Sequence, residues 1–287
     1  TFFQAITSQV IDLPGGNVGK PQGQVYFPPK FQATASAFAR ASSLSAPMPF
    51  CESCQVARLP RIDLPGIPQH IVQRGNNRLP CFLDDSDRLR YLHLLHEALH
   101  ATGCQLHAYV LMDNHLHLLV TPPAAGRVGQ LMQRIGRNYV ALFNGRHGRT
   151  GTLWEGRYKA CLVDSADYVL RCYRYIELNP VRARLTDNPA AYRWSSCPAN
   201  LGQRRHSALT PHPCWLALGS DPIERSNAHR ALLDEALSDE LLASIRLHLQ
   251  QQRALGHDAF RALVEAKTRR FAGIRPAHRP RKQSAVD

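Results

Sequence analysis

No stretch of this 287-residue chain approaches the roughly 20 consecutive apolar residues that a membrane-spanning helix needs. Its first residues also lack the basic region and continuous apolar run of a secretory leader. Both absences point to a soluble chain, expected in the cytoplasm. A second Cys-x-x-Cys is missing too: Cys51 and Cys54 form one such pair among eight scattered cysteines, and half of a tetrahedral set argues against a structural zinc site. A chain of this length needs no covalent staples, so the cysteines are expected as reduced thiols. Acidic residues are scarce, 22 Asp and Glu against 35 Lys and Arg, which leaves a formal charge of +13. That imbalance favours polyanionic partners through phosphate neutralisation and counterion release, with nucleic acid first and an anionic membrane surface second.

What is present reads as a globular protein with attachments, at 44% hydrophobic and 20% charged residues. Residues 1–55, with Gly15-Gly16, Pro28-Pro29 and an Ala/Ser-rich run, show no sustained period; they are expected to be a disordered extension, or a mis-called one upstream of a start near Val56. From Arg58 the texture changes. Strands are expected over 68–75, 105–112 and 115–121, and a further one ending at Val163; helices are expected from the Asp84-Asp85-Ser86 caps to about His100 and from about Val128 to Phe143. A last helix of this core, capped by Asp164-Ser165, is ended or disturbed by Pro180. The order β-α-β-β-α-β predicts an α+β, ferredoxin-like antiparallel sheet with helices on one face and the other face free for substrate. The core spans 56–196 and its apolar faces are expected to be complete by Trp194. A linker follows over 197–213, then a helical accessory region over 214–274, either a small DNA-binding bundle or a helical flap, and a basic tail over 275–287.

The chemistry concentrates in two places. In Asp113-Asn114-His115-Leu116-His117-Leu118-Leu119-Val120, strand alternation turns His115 and His117 to one face and Leu116, Leu118 and Val120 to the other. Two imidazoles on one face can hold a metal ion, yet fourteen histidines yield about 0.7 such pairs by chance, so alone the pair reads as hydrogen-bonded histidines at a sheet edge. The second place is Tyr173-Arg174-Tyr175-Ile176-Glu177-Leu178-Asn179-Pro180. Tyr175 and Asn179, four residues apart, share a helix face, whereas Tyr173 lies about 200° around the helix from Tyr175. A phenol, an amide oxygen and two imidazoles can then converge.

At Asn114-His115-Leu116-His117-Leu118-Leu119-Val120, Trp154-Glu155-Gly156-Arg157-Tyr158-Lys159 and Tyr175-Ile176-Glu177-Leu178-Asn179-Pro180-Val181-Arg182-Ala183, the chain resembles the REP-associated tyrosine transposases, which belong to the single-tyrosine HUH transposases of insertion sequences. The resemblance covers about 57–196. It places the family's histidine pair on His115 and His117, its nucleophile on Tyr175 and its third metal ligand on Asn179. It implies a Mg²⁺ or Mn²⁺ ion, cleavage of single-stranded DNA beside an imperfect hairpin, and a covalent 5′-phosphotyrosine with a free 3′-hydroxyl. No nucleotide cofactor and no membrane is called for, since the phosphotyrosine conserves the energy of the broken bond; the protein is expected to be a monomer or a homodimer.

Candidate DNA contacts are Arg134 and Arg137, near Asn138 and Tyr139, the loop residues Arg146 and Arg149, and Arg157 with Lys159, because single strands are bound by cations interleaved with rings on which bases stack. His93, His96 and His100 share one helical side without a carboxylate motif and read as a solvated face. The readings that compete with a strand transferase are a non-cleaving nucleic-acid binding or regulatory module on the same fold, and a metal-dependent nuclease that hydrolyses through water and leaves no protein–DNA adduct.

Overall fold

In the computed structural model, residues 61–164 and 167–276 are described. The elements run β1 (Gln69–Arg74), α1 (Asp85–Thr102), β2 (Gln105–Leu111), β3 (His115–Thr121), α2 (Arg127–Arg146), β4 (Lys159–Val163), α3 (Tyr168–Glu177) and α4 (Asn179–Arg182). Beyond them come α5 (Cys197–Asn200), α6 (Pro213–Leu216), α7 (Pro222–Asp234), α8 (Asp239–Gln251), β5 (Ala254–Leu255) and α9 (Asp258–Thr268). The sheet order is β2-β3-β1-β4-β5, antiparallel across the first four strands, with β5 added in parallel to β4. The first four strands have the ferredoxin-like order, and the protein is α+β.

Local chemistry explains the boundaries. Asp84 caps α1 by accepting from the Asp87 N–H at 3.0 Å, and Gly103 ends that helix at φ 69, where a side chain would be strained. The buried face of α1 is Tyr91, Leu95, Ala98 and Leu99, with Leu92 half-buried. Leu89 is exposed, and Tyr91, one turn from Leu95, fills the space against Phe82 and Tyr139. Pro180 does not stop the tyrosine helix outright. It removes one donor, so α3 ends at Glu177 and the chain passes through Leu178 into the short turn α4.

Both faces of the sheet are covered. One carries α1 and α2, whose side chains pack on Leu116, Leu118 and Val120. On the other, Ala108, Val110, Leu119, Cys161 and Val163 lie under α3, under Leu242, Ile245 and Leu249 of α8, and under Trp215. The expected free face is therefore not free, and the apolar faces are not complete at Trp194: α3 is too short to cover five strands, and α8 supplies what it lacks. The histidines lie on this second face, as strand alternation requires. Residues 197–213 run beside β2, where the Thr210 N–H donates to the Leu106 carbonyl at 2.7 Å. Residues 1–60, the Cys51/Cys54 pair among them, Ser165 and the tail from 277 lie outside the described residues. Among those described, no helix is long and apolar enough to cross a membrane.

Candidate active site

Three strands and two helical pieces bring the site together. Register sets His117 opposite Val72 of β1, Val72 opposite Lys159 of β4, and His115 opposite Arg74. Residues directly opposite share a face, so Lys159 stands about 10 Å from His117 along one row of strand spacings. The α3 helix crosses this face and sets the Tyr175 ring 5.7 Å from that of His117, nearly perpendicular at 83°. One turn on, the Asn179 side chain comes up against His115. The four residues singled out by spacing thus meet at one place.

Three further residues belong to the arrangement. His70, fully buried on β1, places its Nε2 2.9 Å from Nδ1 of His117, and its ring lies 5.5 Å from Tyr175. Arg182 sets its guanidinium 4.5 Å from the centre of the Tyr175 ring and donates to the Tyr175 carbonyl, leaving Nη1 buried without a partner. Arg74 lies beside His115 across the strand pair. Arg182 carried a signal in the sequence, since it follows Tyr175 by seven residues and Asn179 by three, the spacing of one helical face. His70 carried none: it is the diagonal cross-strand neighbour of His117, and only the strand register shows that.

The imidazoles are oriented and kept neutral. The Asn114 amide is oriented by its Nδ2, which donates to the Arg78 carbonyl at 3.1 Å, so its Oδ1 faces His115 Nδ1 at 2.7 Å. An amide oxygen only accepts, so the proton sits on His115 Nδ1 and the Nε2 lone pair is left available. Burial, with Arg74 adding to it, holds the His115 pKa down at about 4; burial, then the charge of Arg182, holds His70 at about 3. Burial pushes His117 well below its usual value too, reinforced by His70, His115 and the nearby arginines. Neutral imidazoles are what a cation requires. His70, His117 and His115 lie side by side, but among the described residues no group of three or more His, Cys, Asp or Glu side chains is arranged to hold a metal ion.

These depressed values have a consequence for stability. Histidines that are neutral when folded and titrate near pH 6.5 when unfolded make the unfolded chain bind more protons between about pH 6.5 and 4. Stability is therefore full above that window and falls as pH drops through it. Denaturant melts at pH 7.5 and pH 5 are expected to show a lower midpoint at pH 5; an unchanged midpoint would contradict the burial of these rings.

Tyr173 faces the other way. It is fully buried, its hydroxyl accepts from the His212 N–H at 3.3 Å, and its ring meets His229. Glu177, also fully buried on α3, accepts from Ser196 Oγ at 2.6 Å and Asn200 Nδ2 at 2.7 Å and pairs with His229 Nε2 at 2.7 Å. The helix carrying the phenol is thereby fixed to the segments that follow the core.

The six cations expected on DNA are not gathered. Lys159 stands at the site's end of the sheet, with exposed Arg157 in the turn just before it. Arg134 and Arg137 are exposed on α2, in the layer on the opposite side of the sheet, and the neighbouring Tyr139 is buried with its hydroxyl donating to the Cys81 carbonyl, so it offers no ring for a base. Arg146 is held by Asp84 and Asp87, at 2.6 Å to the latter, and Arg149 rests on the Phe143 ring. His93, His96 and His100 are exposed along α1.

Residues 65–179 match the family model described as IS200-like transposase. The matched span contains His115, His117 and Tyr175 and ends on Asn179. No curated protein matches the chain by sequence. Among solved structures, one described as a REP-associated tyrosine transposase bound to a REP hairpin is 15% identical, covering 55% of this chain and 99% of its own, with a TM-score of 0.41. A candidate transposase from Deinococcus radiodurans R1 is 21% identical, covering 43% of this chain and 96% of its own, with a TM-score of 0.30.

Proposed function

We propose that the protein is a metal-dependent, site-specific single-strand DNA endonuclease and strand transferase of the REP-associated kind, with Tyr175 as nucleophile. The observation that carries this reading is the meeting of Tyr175 with His117 while Asn179, one turn later, reaches His115. The match to the IS200-like transposase family model supplies the context, and the hairpin bound by the structural neighbour suggests the substrate class.

The Tyr175 oxygen attacks the scissile phosphorus; the phosphorus–O3′ bond breaks, the 3′-oxygen leaves as a hydroxyl, and the 5′-phosphate stays on the tyrosine. His115, His117 and Asn179 would hold Mg²⁺ or Mn²⁺, which supplies neutralisation of charge on the non-bridging phosphate oxygens. Arg182 places a positive charge against the ring that becomes negative as it attacks, and Arg74, Arg157 and Lys159 offer cations to the strand on either side. Packing under α3 and α8 keeps His117 and Tyr175 nearly out of water, at 4% and 6% exposure, which limits hydrolysis of the phosphotyrosine before a 3′-hydroxyl arrives. Rejoining to that hydroxyl reverses the same steps and needs no nucleotide.

Incubating a labelled single-stranded hairpin with the protein and Mn²⁺, followed by a denaturing gel, is expected to show a shortened strand and a protein-linked label in equal measure. A shortened strand without the adduct would favour water-mediated hydrolysis, and binding without either product a regulatory module. Alanine at His115, His117 or Asn179 is expected to reduce cleavage by about 10²-fold or more while hairpin affinity falls far less, since phosphate contacts elsewhere supply it. Chelation should reproduce the loss, and full cleavage in excess chelator would remove the metal from the reaction.

A further inference from the structure

Between β1 and α1 the chain makes a turn whose backbone is fixed and whose side chains are free. The N–H groups of Gly75, Asn76, Arg78 and Leu79 donate to the carbonyls of Asn114, Leu153, Gly75 and Asn76 at 2.8 to 3.0 Å. Asn77 and Arg78 both adopt the left-handed conformation, at φ 53 and 59, which residues other than glycine enter rarely. Gly75 permits the closure, because a Cβ there would overlap the Leu79 carbonyl oxygen. Outward, Asn77, Arg78 and Leu79 are exposed, Leu79 over 52% of its surface. A loop that directs its hydrogen bonds inward while holding an uncommon backbone conformation, and turns an amide, a guanidinium and an apolar side chain to solvent, is built for contact with a partner.

Its position says which partner. Asn114 joins the loop to the candidate site, with one end of its amide on the Arg78 carbonyl and the other on His115. Arg74, the residue just before the loop, is opposite His115, and its carbonyl accepts from the Glu155 N–H at 2.9 Å, which brings the turn bearing Arg157 alongside. We propose that Asn77, Arg78 and Leu79 contact the nucleotides flanking the scissile phosphate and determine which bases are cut. The amide and the guanidinium match the hydrogen-bonding edges of unpaired bases, and Leu79 matches a base face, whereas the phosphate contacts at Arg74 and Lys159 position the strand without reading it. This assignment rests on the single-strand cleavage proposed above.

The test uses the full chain with Mn²⁺ and a library of single-stranded hairpin oligonucleotides randomised on both arms, the cleaved products being sequenced. Asn77→Gly and Arg78→Gly remove the side chains while suiting the left-handed backbone, Leu79→Ala removes the apolar tip, and Arg78→Lys keeps the charge without the fork. The combined variant is expected to lose about tenfold or more of the wild-type discrimination at one or more positions beside the cut, at an unchanged melting temperature. Arg78→Lys should retain cleavage but relax the same positions as Arg78→Gly. A combined variant that folds and cuts with wild-type base preferences would overturn the assignment. Absence of any cleavage by the wild-type protein would instead overturn the cleavage reading, and the assignment with it.

Discussion

Tyr175→Phe is expected to abolish strand cleavage and the covalent adduct, lowering the rate by roughly 10³-fold or more, while the melting temperature and hairpin affinity stay near those of the wild type. The substitution removes one oxygen and keeps the ring against His70, His117 and Arg182, so the packing under α3 persists. Tyr173→Phe should show the converse. Its hydroxyl is buried on the His212 N–H, so its removal affects stability by about 1 kcal/mol and leaves cleavage in place. Single-turnover cleavage of a labelled hairpin, read with the melt of each variant, checks both; loss of cleavage with Tyr173→Phe alone would reverse the assignment.

Deleting the chain beyond Trp194 is expected to leave no cooperatively folded core. Trp215, Leu242, Ile245, Leu249 and Leu255 pack in the cluster that covers the histidine face. At about 1.5–3 kcal/mol for each fully buried side chain, their loss approaches the 5–15 kcal/mol by which a domain is stable at all. The deletion also removes Ser196, Asn200 and His229 from Glu177 and so strands a buried carboxylate two residues from Tyr175. A milder version isolates that second effect: His229→Ala should destabilise by about 3–5 kcal/mol, since Glu177 and His229 are both fully buried and breaking such a pair leaves one partner uncompensated. Near-ultraviolet circular dichroism and thermal melts decide it, and a sharp melt for residues 57–194 would show the accessory helices to be dispensable.

The residues themselves foretold the strands and the first two helices of the core because each announces itself locally, by alternation or by caps such as Asp84 and Gly103. Tyr175 and Asn179 were legible for the same reason, as helix spacing fixes which side chains share a face. Covering of the second face was not legible, because it depends on α8, sixty residues further on, whose stripe of Leu242, Ile245 and Leu249 would look the same in a detached helical domain. His70 was hidden by register, a property of two strands together. The partners of the cations were hidden for a related reason: Arg146 looks free in sequence, and only the fold brings it to Asp84 and Asp87.

The central claim is that Tyr175 becomes bonded to DNA, and the chain offers a direct way to locate the bond. Arg174 separates the two tyrosines, so trypsin releases Tyr173 in the peptide Cys172–Arg174 and Tyr175 in Tyr175–Arg182. After reaction with a single-stranded hairpin and Mn²⁺, followed by nuclease trimming and trypsin, mass spectrometry is expected to find the nucleotide mass on the peptide Tyr175–Arg182, fragmenting to a phosphorylated tyrosine at its first residue. A nucleotide on Cys172–Arg174, or cleaved strand with no modified peptide, would contradict the account.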